Sequence, residues 1–315
     1  MKALIVGHQG QDGTLLYDYL EKKGYQIFGI DKNSNKSTHQ GFPARTDICN
    51  PQEVSEIIKK FQPDEVYHLA ALHHSSEDQI SEDLDLFQKS YQINVGTLLN
   101  FLAAIKESSP KTRLFFAASS HIFGSVKTSL QDENTPINPS NLYGTTKAFG
   151  VLACRYYRNK HSLFASAGIL YNHESEYRSP NFLSKKIILA AINIKNKKQD
   201  KLILGDLDAK VDWGYAPDYI EAMYKILQLD SPDDFVIATG EKRTVKDFVE
   251  EAFRLLGLDW KEHVETDQNI IHKEKITRIG NPKKLKKIAG WEPKVDFKSM
   301  IKILLEKELQ KQNEH

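Results

Sequence analysis

A short apolar run, Lys2–Val6, enters a turn with glycine at every third position, Gly7-His-Gln-Gly10-Gln-Asp-Gly13, and helical apolar spacing takes over from Thr14 to Lys23. A strand that passes into a helix through three glycines has few destinations. Glycine lets the backbone turn tightly and come close to a pyrophosphate, whose charge is met by amide groups at the helix N-terminus. The rest of the first half keeps the same rhythm. Strands are predicted at 25–30, 65–69, 113–117 and 164–170, and helices at 51–61, 92–106 and 143–160. Strands alternating with helices of about ten or more residues predict parallel βαβ units with right-handed crossovers, hence an α/β fold with a doubly wound parallel sheet.

After Leu170 the pattern loosens, with helices expected at 181–195, 217–227, 245–256 and 297–312 and short apolar runs at 202–204 and 235–237. The chain therefore divides into a Rossmann-type nucleotide-binding domain, 1–171, and a smaller substrate lobe, mainly 172–315, interleaved with the sheet around 202–240. The Lys283–Lys287 run reads as a solvated helix face. Lys and Arg number 43 against 42 Asp and Glu, so no bulk charge calls for nucleic acid or an anionic membrane. No stretch reaches the roughly 20 apolar residues of a spanning helix. Cys49 and Cys154, far apart, suit a reducing compartment. A soluble, cytoplasmic protein is expected, with no metal required.

Four further features locate chemistry. Tyr143-Gly-Thr-Thr-Lys147 places a phenol and an ammonium four residues apart on one helix face. There the ammonium is expected to lower the phenol's pKa, so that a phenolate takes a proton from a substrate hydroxyl. Ser119 stands at the C-terminal end of the preceding strand, where open α/β sheets bind ligands, and its hydroxyl can bond the same substrate oxygen. Asp31, after the second strand, can accept from both hydroxyls of an adenosine ribose and would repel a 2′-phosphate. NAD is therefore favoured over NADP, with the neighbouring Lys32 arguing the other way. Asp47-Ile48 follows the segment expected to be the third strand, where a carboxylate could reach an adenine amine.

The glycine turn, Ala70-Ala71, Asn94, Ser119 and Tyr143/Lys147 resemble the extended short-chain dehydrogenase/reductase family of nucleotide-sugar enzymes. Within it the second half looks like the GDP-mannose 4,6-dehydratases, through Gly168–Ser175, Leu204–Gly214, Asp218–Met223, Asp234–Gly240 and Gly290-Trp-Glu-Pro293. The resemblance implies a cofactor site made of the turn with Gln11 and Asp12, of Leu69, Ala70 and Ala71, and of Tyr143 and Lys147. It implies a GDP-linked sugar held by Ser120, Asn172, Glu174, Lys185 and Arg278, the last suited to a diphosphate. It also implies oxidation at C4, elimination across C5 and C6, and a homodimer or tetramer built on the helices at 92–106 and 143–160.

Departures from that family pattern limit the expectation. The dehydratases end this strand with a glutamate that handles C5 and C6, and here His121 stands in its place. An imidazole is a competent acid and base. Elimination by His121 is therefore the leading expectation. The alternative is a GDP-sugar C4 dehydrogenase, reductase or epimerase without dehydration, and a non-catalytic nucleotide-sugar sensor is a remote third. The segment Leu72–Gln79 is unlike the family. Its His73 and His74 either meet the sugar ring or are ordinary loop residues, the second being the simpler reading.

Overall fold

The computed structural model describes residues 1–32, 34, 37–73, 83–126, 130–270 and 277–313. The first half runs β1 (Lys2–Val6), α1 (Gln11–Glu21), β2 (Gln26–Ile30), α2 (Pro51–Phe61), β3 (Glu65–His68), α3 (Leu84–Tyr91), α4 (Thr97–Ser108), β4 (Arg113–Ser119), α5 (Leu142–His161) and β5 (Ala165–Leu170). The second half is shorter-grained: β6 (Asn172–Glu174), α6 (Leu183–Lys195), β7 (Leu202–Leu204), β8 (Lys210–Val211), β9 (Trp213–Tyr215), α7 (Ala216–Leu227), β10 (Asp234–Ile237) and β11 (Arg243–Thr244). It ends with α8 (Val245–Leu255), α9 (Trp260–His263), β12 (Val264–Thr266), α10 (Lys283–Ala289) and α11 (Phe297–Asn313).

Six strands form one parallel sheet in the order β10-β5-β4-β3-β1-β2. Alternate residues of β1 serve its two faces, as strand geometry requires. Leu4 and Val6 pack with Val54, Ile57, Leu98, Phe101 and Val151 of α2, α4 and α5. Ala3 and Ile5 pack with Leu16, Leu20, Tyr219 and Met223 of α1 and α7. Both faces are thus covered, which explains why the strands read as continuous apolar runs. A third cluster, including Ile187, Trp213, Phe248 and Leu304, holds α6, α8 and α11 together beside the sheet.

The strand order reverses at β1, with β2 on one side and β3 on the other, so the ligand crevice of such sheets opens above β1 and β3. The third strand expected before Asp47 is not formed. No strand is assigned between 37 and 50, and β2 is the sheet edge. Pro43 has no N–H to offer a ladder, and the outward Gly29 N–H donates instead to Thr38 Oγ1 at 2.6 Å. The helix predicted over 92–106 begins earlier, at Leu84, and contains a π-helical turn at Gln92–Gly96. Such turns widen a helix locally and often mark functional positions. Among the described residues no helix is long and apolar enough to cross a membrane.

Candidate active site

The glycine turn is locked to the ends of its neighbouring strands. Gly7 adopts φ +90°, and a Cβ there would lie 2.8 Å from the Ala70 nitrogen at the end of β3. Its N–H donates to Ile30 O at 2.8 Å, and Ala70 N–H donates to Val6 O at 2.9 Å. Gly10 caps α1 without a side-chain bond, so the N–H groups of the first turn have no capping acceptor. They face a cavity of about 250 Å³ at the C-terminal ends of the strands. An anion is the partner such a helix end favours.

The cavity brings together most of the residues singled out by sequence. Gly7, Gly10, Gln11, Asp12, Gly13, Leu69 and Ala71 form one wall, and Ser119, His121, Tyr143, Lys147 and Asn172 belong to the other. Ala70 backs the turn, and Ser120, buried and outside the cavity lining, starts a 3-10 turn, Ser120–Phe123. Asp31 follows β2 and its carboxylate accepts from Gln9 N–H of the turn at 3.3 Å. Lys32 is exposed. Asp47 accepts from Cys49 N–H at 2.9 Å, and Ile48 O accepts from Asn100 Nδ2 at 3.0 Å, so both residues serve the lead-in to α2, outside the cavity lining.

Tyr143 enters at the second position of α5, whose N-cap Asn141 accepts from Gly144 N–H at 2.8 Å. A Cβ at Gly144 would come within 2.4 Å of His121 O, so this glycine lets α5 dock on the turn after β4 and bring the phenol to Ser119. Burial pushes the Tyr143 phenol up; the Arg178 guanidinium and a hydrogen bond with Ser119 pull against it, while Asp12 adds to the rise. Lys147 is 1% exposed, and its ammonium donates to Ala117 O at 2.7 Å. It lies 5.7 Å from the Tyr143 ring centroid. Burial lowers its pKa to about 7, opposed by the Asp12 charge. Lys147, the cation expected to act on the phenol, is joined at the cavity by a second, Arg178, whose charge favours the phenolate.

Arg178 was not singled out from sequence, and Glu174 explains its position. Glu174 is buried, accepts from Ser184 Oγ at 2.5 Å and pairs with Arg178 Nε at 3.2 Å. The guanidinium also lies 4.0 Å from the centroid of Phe182, another cavity residue. Glu174 thus supports a cavity residue and is not itself among those lining the cavity. Lys185 points elsewhere: its ammonium pairs with Glu308 of α11 and donates to Glu176 O at 3.2 Å.

His173 and Asp12 join the two halves of the chain. His173 Nδ1 lies 2.7 Å from Tyr171 O, and Nε2 lies 3.0 Å from both Asp12 oxygens. Both partners accept, so both ring nitrogens carry hydrogen. Burial disfavours that imidazolium, but the Asp12 charge and hydrogen bond overcome it and raise the His173 pKa. Burial likewise pushes Asp12 up, and His173 more than offsets it, leaving the carboxyl below its ordinary range. Gln11 adds two bonds across the same junction, donating to His173 O and accepting from Ser175 Oγ.

Two histidines stand beside the phenol. His121 Nδ1 lies 3.2 Å from Asn141 Nδ2, and its Nε2 lies 3.3 Å from Arg278 Nη2. His73 lines the cavity, with its ring centroid 4.2 Å from that of Tyr143. The simpler reading of His73 as an ordinary loop residue is therefore corrected; His74 lies outside the described residues. The cause is Asn94, buried in the π turn. Its side chain accepts from Leu72 N–H at 2.7 Å, donates to Leu72 O at 3.2 Å and donates to Thr146 Oγ1 at 3.0 Å. One amide thus ties the residue before His73 to the residue before Lys147.

Comparisons with known proteins agree with this arrangement. The family model described as GDP-mannose 4,6 dehydratase matches residues 4–304. GDP-mannose 4,6 dehydratase 2 of Arabidopsis thaliana is 34% identical over 329 residues, spanning 98% of this chain and 87% of that protein. The Homo sapiens GDP-mannose 4,6 dehydratase is 32% identical over 342 residues, spanning 95% and 89%. Among solved structures, dTDP-glucose 4,6-dehydratase of Bacillus anthracis in complex with NAD shares the fold with a TM-score of 0.83 at 21% identity, covering 99% of this chain and 98% of that one. RMD from Pseudomonas aeruginosa complexed with NADPH does so with a TM-score of 0.83 at 19% identity, covering 99% and 100%.

Proposed function

This chain belongs to the GDP-mannose 4,6-dehydratase family, and we propose that it uses NAD to convert a GDP-linked hexose to its 4-keto-6-deoxy form with loss of water. The observation that carries this reading is the shared cavity, with Ser119, Tyr143 and Lys147 on one wall and the uncapped, glycine-lined start of α1 on the other. Those residues fit a dinucleotide. Gly10 and the first turn of α1 would hold the diphosphate, Asp31 the adenosine ribose, and Lys147 the end of the cofactor nearest Tyr143. A 2′-phosphate would meet the Asp31 carboxylate, which favours NAD. A dinucleotide held there would supply the hydride acceptor for C4 and the hydride donor for C6.

The chain's own residues handle protons and charge. Tyr143 takes the O4 proton, with Ser119 orienting that oxygen and Arg178 offsetting the negative charge that develops on the phenol. Asn172 and Arg278 are suited to the sugar nucleotide, Arg278 to its diphosphate. The ketone formed at C4 acidifies the C5 proton, and an imidazole beside Tyr143 removes it and protonates the departing C6 hydroxyl. His121 stands where the sequence places this group.

One observation favours a second reading, a C4 dehydrogenase, reductase or epimerase. Among the described residues lining the cavity, Asp12 is the one carboxylate, and His173 holds it. Mass spectrometry after incubation with GDP-mannose and NAD separates the readings. A product lighter by one water supports the dehydratase; loss of two hydrogens, or an isomer of unchanged mass, supports the second.

The reading extends to a homodimer. Phe87 and Tyr91 on α3 and Phe149, Leu152 and Tyr156 on α5 are exposed, and Tyr91 and Phe149 lie 6.2 Å apart by ring centroid. An apolar patch of this kind marks an association surface. Sedimentation of the native chain as a dimer, and of Leu152→Glu as a monomer, is expected. A native monomer would refute it.

A further inference from the structure

We propose that His73, rather than His121, is the acid/base that exchanges protons with C5 and C6 of the sugar, an inference that rests on the dehydratase reading above. Three observations converge. The His73 ring lies against the Tyr143 ring at 4.2 Å between centroids and stacks on Phe182 at 5.7 Å with planes 24° apart. Phe182 in turn carries the Arg178 guanidinium on its face. A sugar whose O4 reaches the Tyr143 hydroxyl has C5 and C6 two and three bonds further on, within reach of this stack.

The second observation is how His73 is held. Asn94 grips the backbone of Leu72 on both its N–H and its carbonyl and bonds Thr146 on the catalytic helix. The backbone entering His73 is therefore tied to the helix that carries Tyr143 and Lys147, which sets where the imidazole starts from.

The third concerns His121. Asn141 Oδ1 is committed to Gly144 N–H, which fixes the Asn141 amide NH₂ toward His121 Nδ1. Arg278, which can only donate, faces Nε2. Nδ1 of His121 therefore accepts from Asn141, and the hydrogen of the neutral ring lies on Nε2, beside the Arg278 guanidinium. That geometry suits a group that orients Arg278 toward a diphosphate.

The proton balance closes. With C4 as ketone, neutral His73 takes the C5 proton, and the electron pair left at C5 forms the C5–C6 double bond as the C6–O bond breaks. The imidazolium gives its proton to that oxygen, and water leaves. The hydride that NAD accepted from C4 ends on C6, and a solvent proton delivered through His73 ends on C5. The proton Tyr143 took from O4 returns to solvent. The product therefore carries one solvent-derived hydrogen at C5.

The test runs native protein, His73→Gln and His121→Gln with GDP-mannose and NAD in deuterated water. Three signals are followed: loss of water by mass, deuterium at C5 by NMR, and reduced nicotinamide by absorbance. His73 is exposed, so its variant is expected to fold, and circular dichroism checks this. His73→Gln should lose water at least about 100-fold more slowly while reduced nicotinamide accumulates, because C4 oxidation continues without elimination. His73→Glu should recover part of the water loss. His121→Gln should raise KM for the sugar nucleotide and keep C5 exchange. Dehydration by His73→Gln within about threefold of native, or loss of C5 exchange in His121→Gln alone, overturns the assignment while leaving the dehydratase reading intact. If native protein releases no water and exchanges no C5 hydrogen, the dehydratase reading itself fails and the inference falls with it.

Discussion

Replacing Lys147 by methionine should make the nucleotide-free protein more stable while removing its turnover. The ammonium is buried against Phe116 and Tyr143 with one hydrogen bond to Ala117 O. Burial takes its pKa from 10.5 to about 7. At 1.36 kcal/mol per unit, that is a charge-burial cost on the order of 5 kcal/mol at neutral pH. Methionine fills a similar volume without charge. Against the gain stands the Ala117 carbonyl, which loses a donor at a cost of about 1–3 kcal/mol. The net is a stabilisation of roughly 2 kcal/mol, or a rise of about 3–6 °C in Tm for a chain of this size. The pH dependence provides the sharper check. Between about pH 7 and 10.5 the unfolded lysine binds a proton that the folded one does not, so native stability rises with pH across that window. The advantage of Lys147→Met should therefore shrink as pH increases. Thermal melts of both proteins at about pH 7, 8.5 and 10 measure this. A variant destabilised by the same amount at all three values would refute the reasoning, because packing and not charge burial would then dominate.

Three other outcomes follow from the same geometry. His173→Gln leaves Asp12 without its partner and should cost about 2–4 kcal/mol by chemical denaturation near pH 6. Because the folded His173 pKa is raised, the pair's contribution is full below pH 6.5 and is lost as pH rises through the folded value, so the two proteins should converge at alkaline pH; a constant gap would argue against the imidazolium. Asp31→Ala should improve binding of NADP relative to NAD by at least about tenfold, or about 1.4 kcal/mol, by isothermal titration, and tighter native binding of NADP would show Asp31 to be misread. Tyr143→Phe should lower hydride chemistry by about 100- to 10,000-fold with nucleotide binding retained, and near-native rates would remove Tyr143 from the mechanism.

What the sequence determined by itself was everything set by short spacing. Three glycines between a strand and a helix, a tyrosine and lysine one helical turn apart, and a serine at a strand end are local patterns with local geometry. The alternation of strands and helices then placed all of them at one end of a parallel sheet. Tertiary structure decided the electrostatics and the neighbours of the catalytic tyrosine. Asp12 meets His173 across 161 positions, and Asn94 meets Thr146 across 52. Glu174 reads as a ligand contact but sits buried beneath Arg178, and Lys185 is drawn to Glu308 on α11. The third strand expected before Asp47 is not formed, and at the β2 edge the Gly29 N–H bonds the Thr38 hydroxyl instead. Charge and hydrogen-bond energies depend on distance in space, and spacing along the chain does not supply it. That is why the phenol and its turn were legible in advance, whereas Arg178 and the imidazole lying against the phenol emerged only from the packed fold.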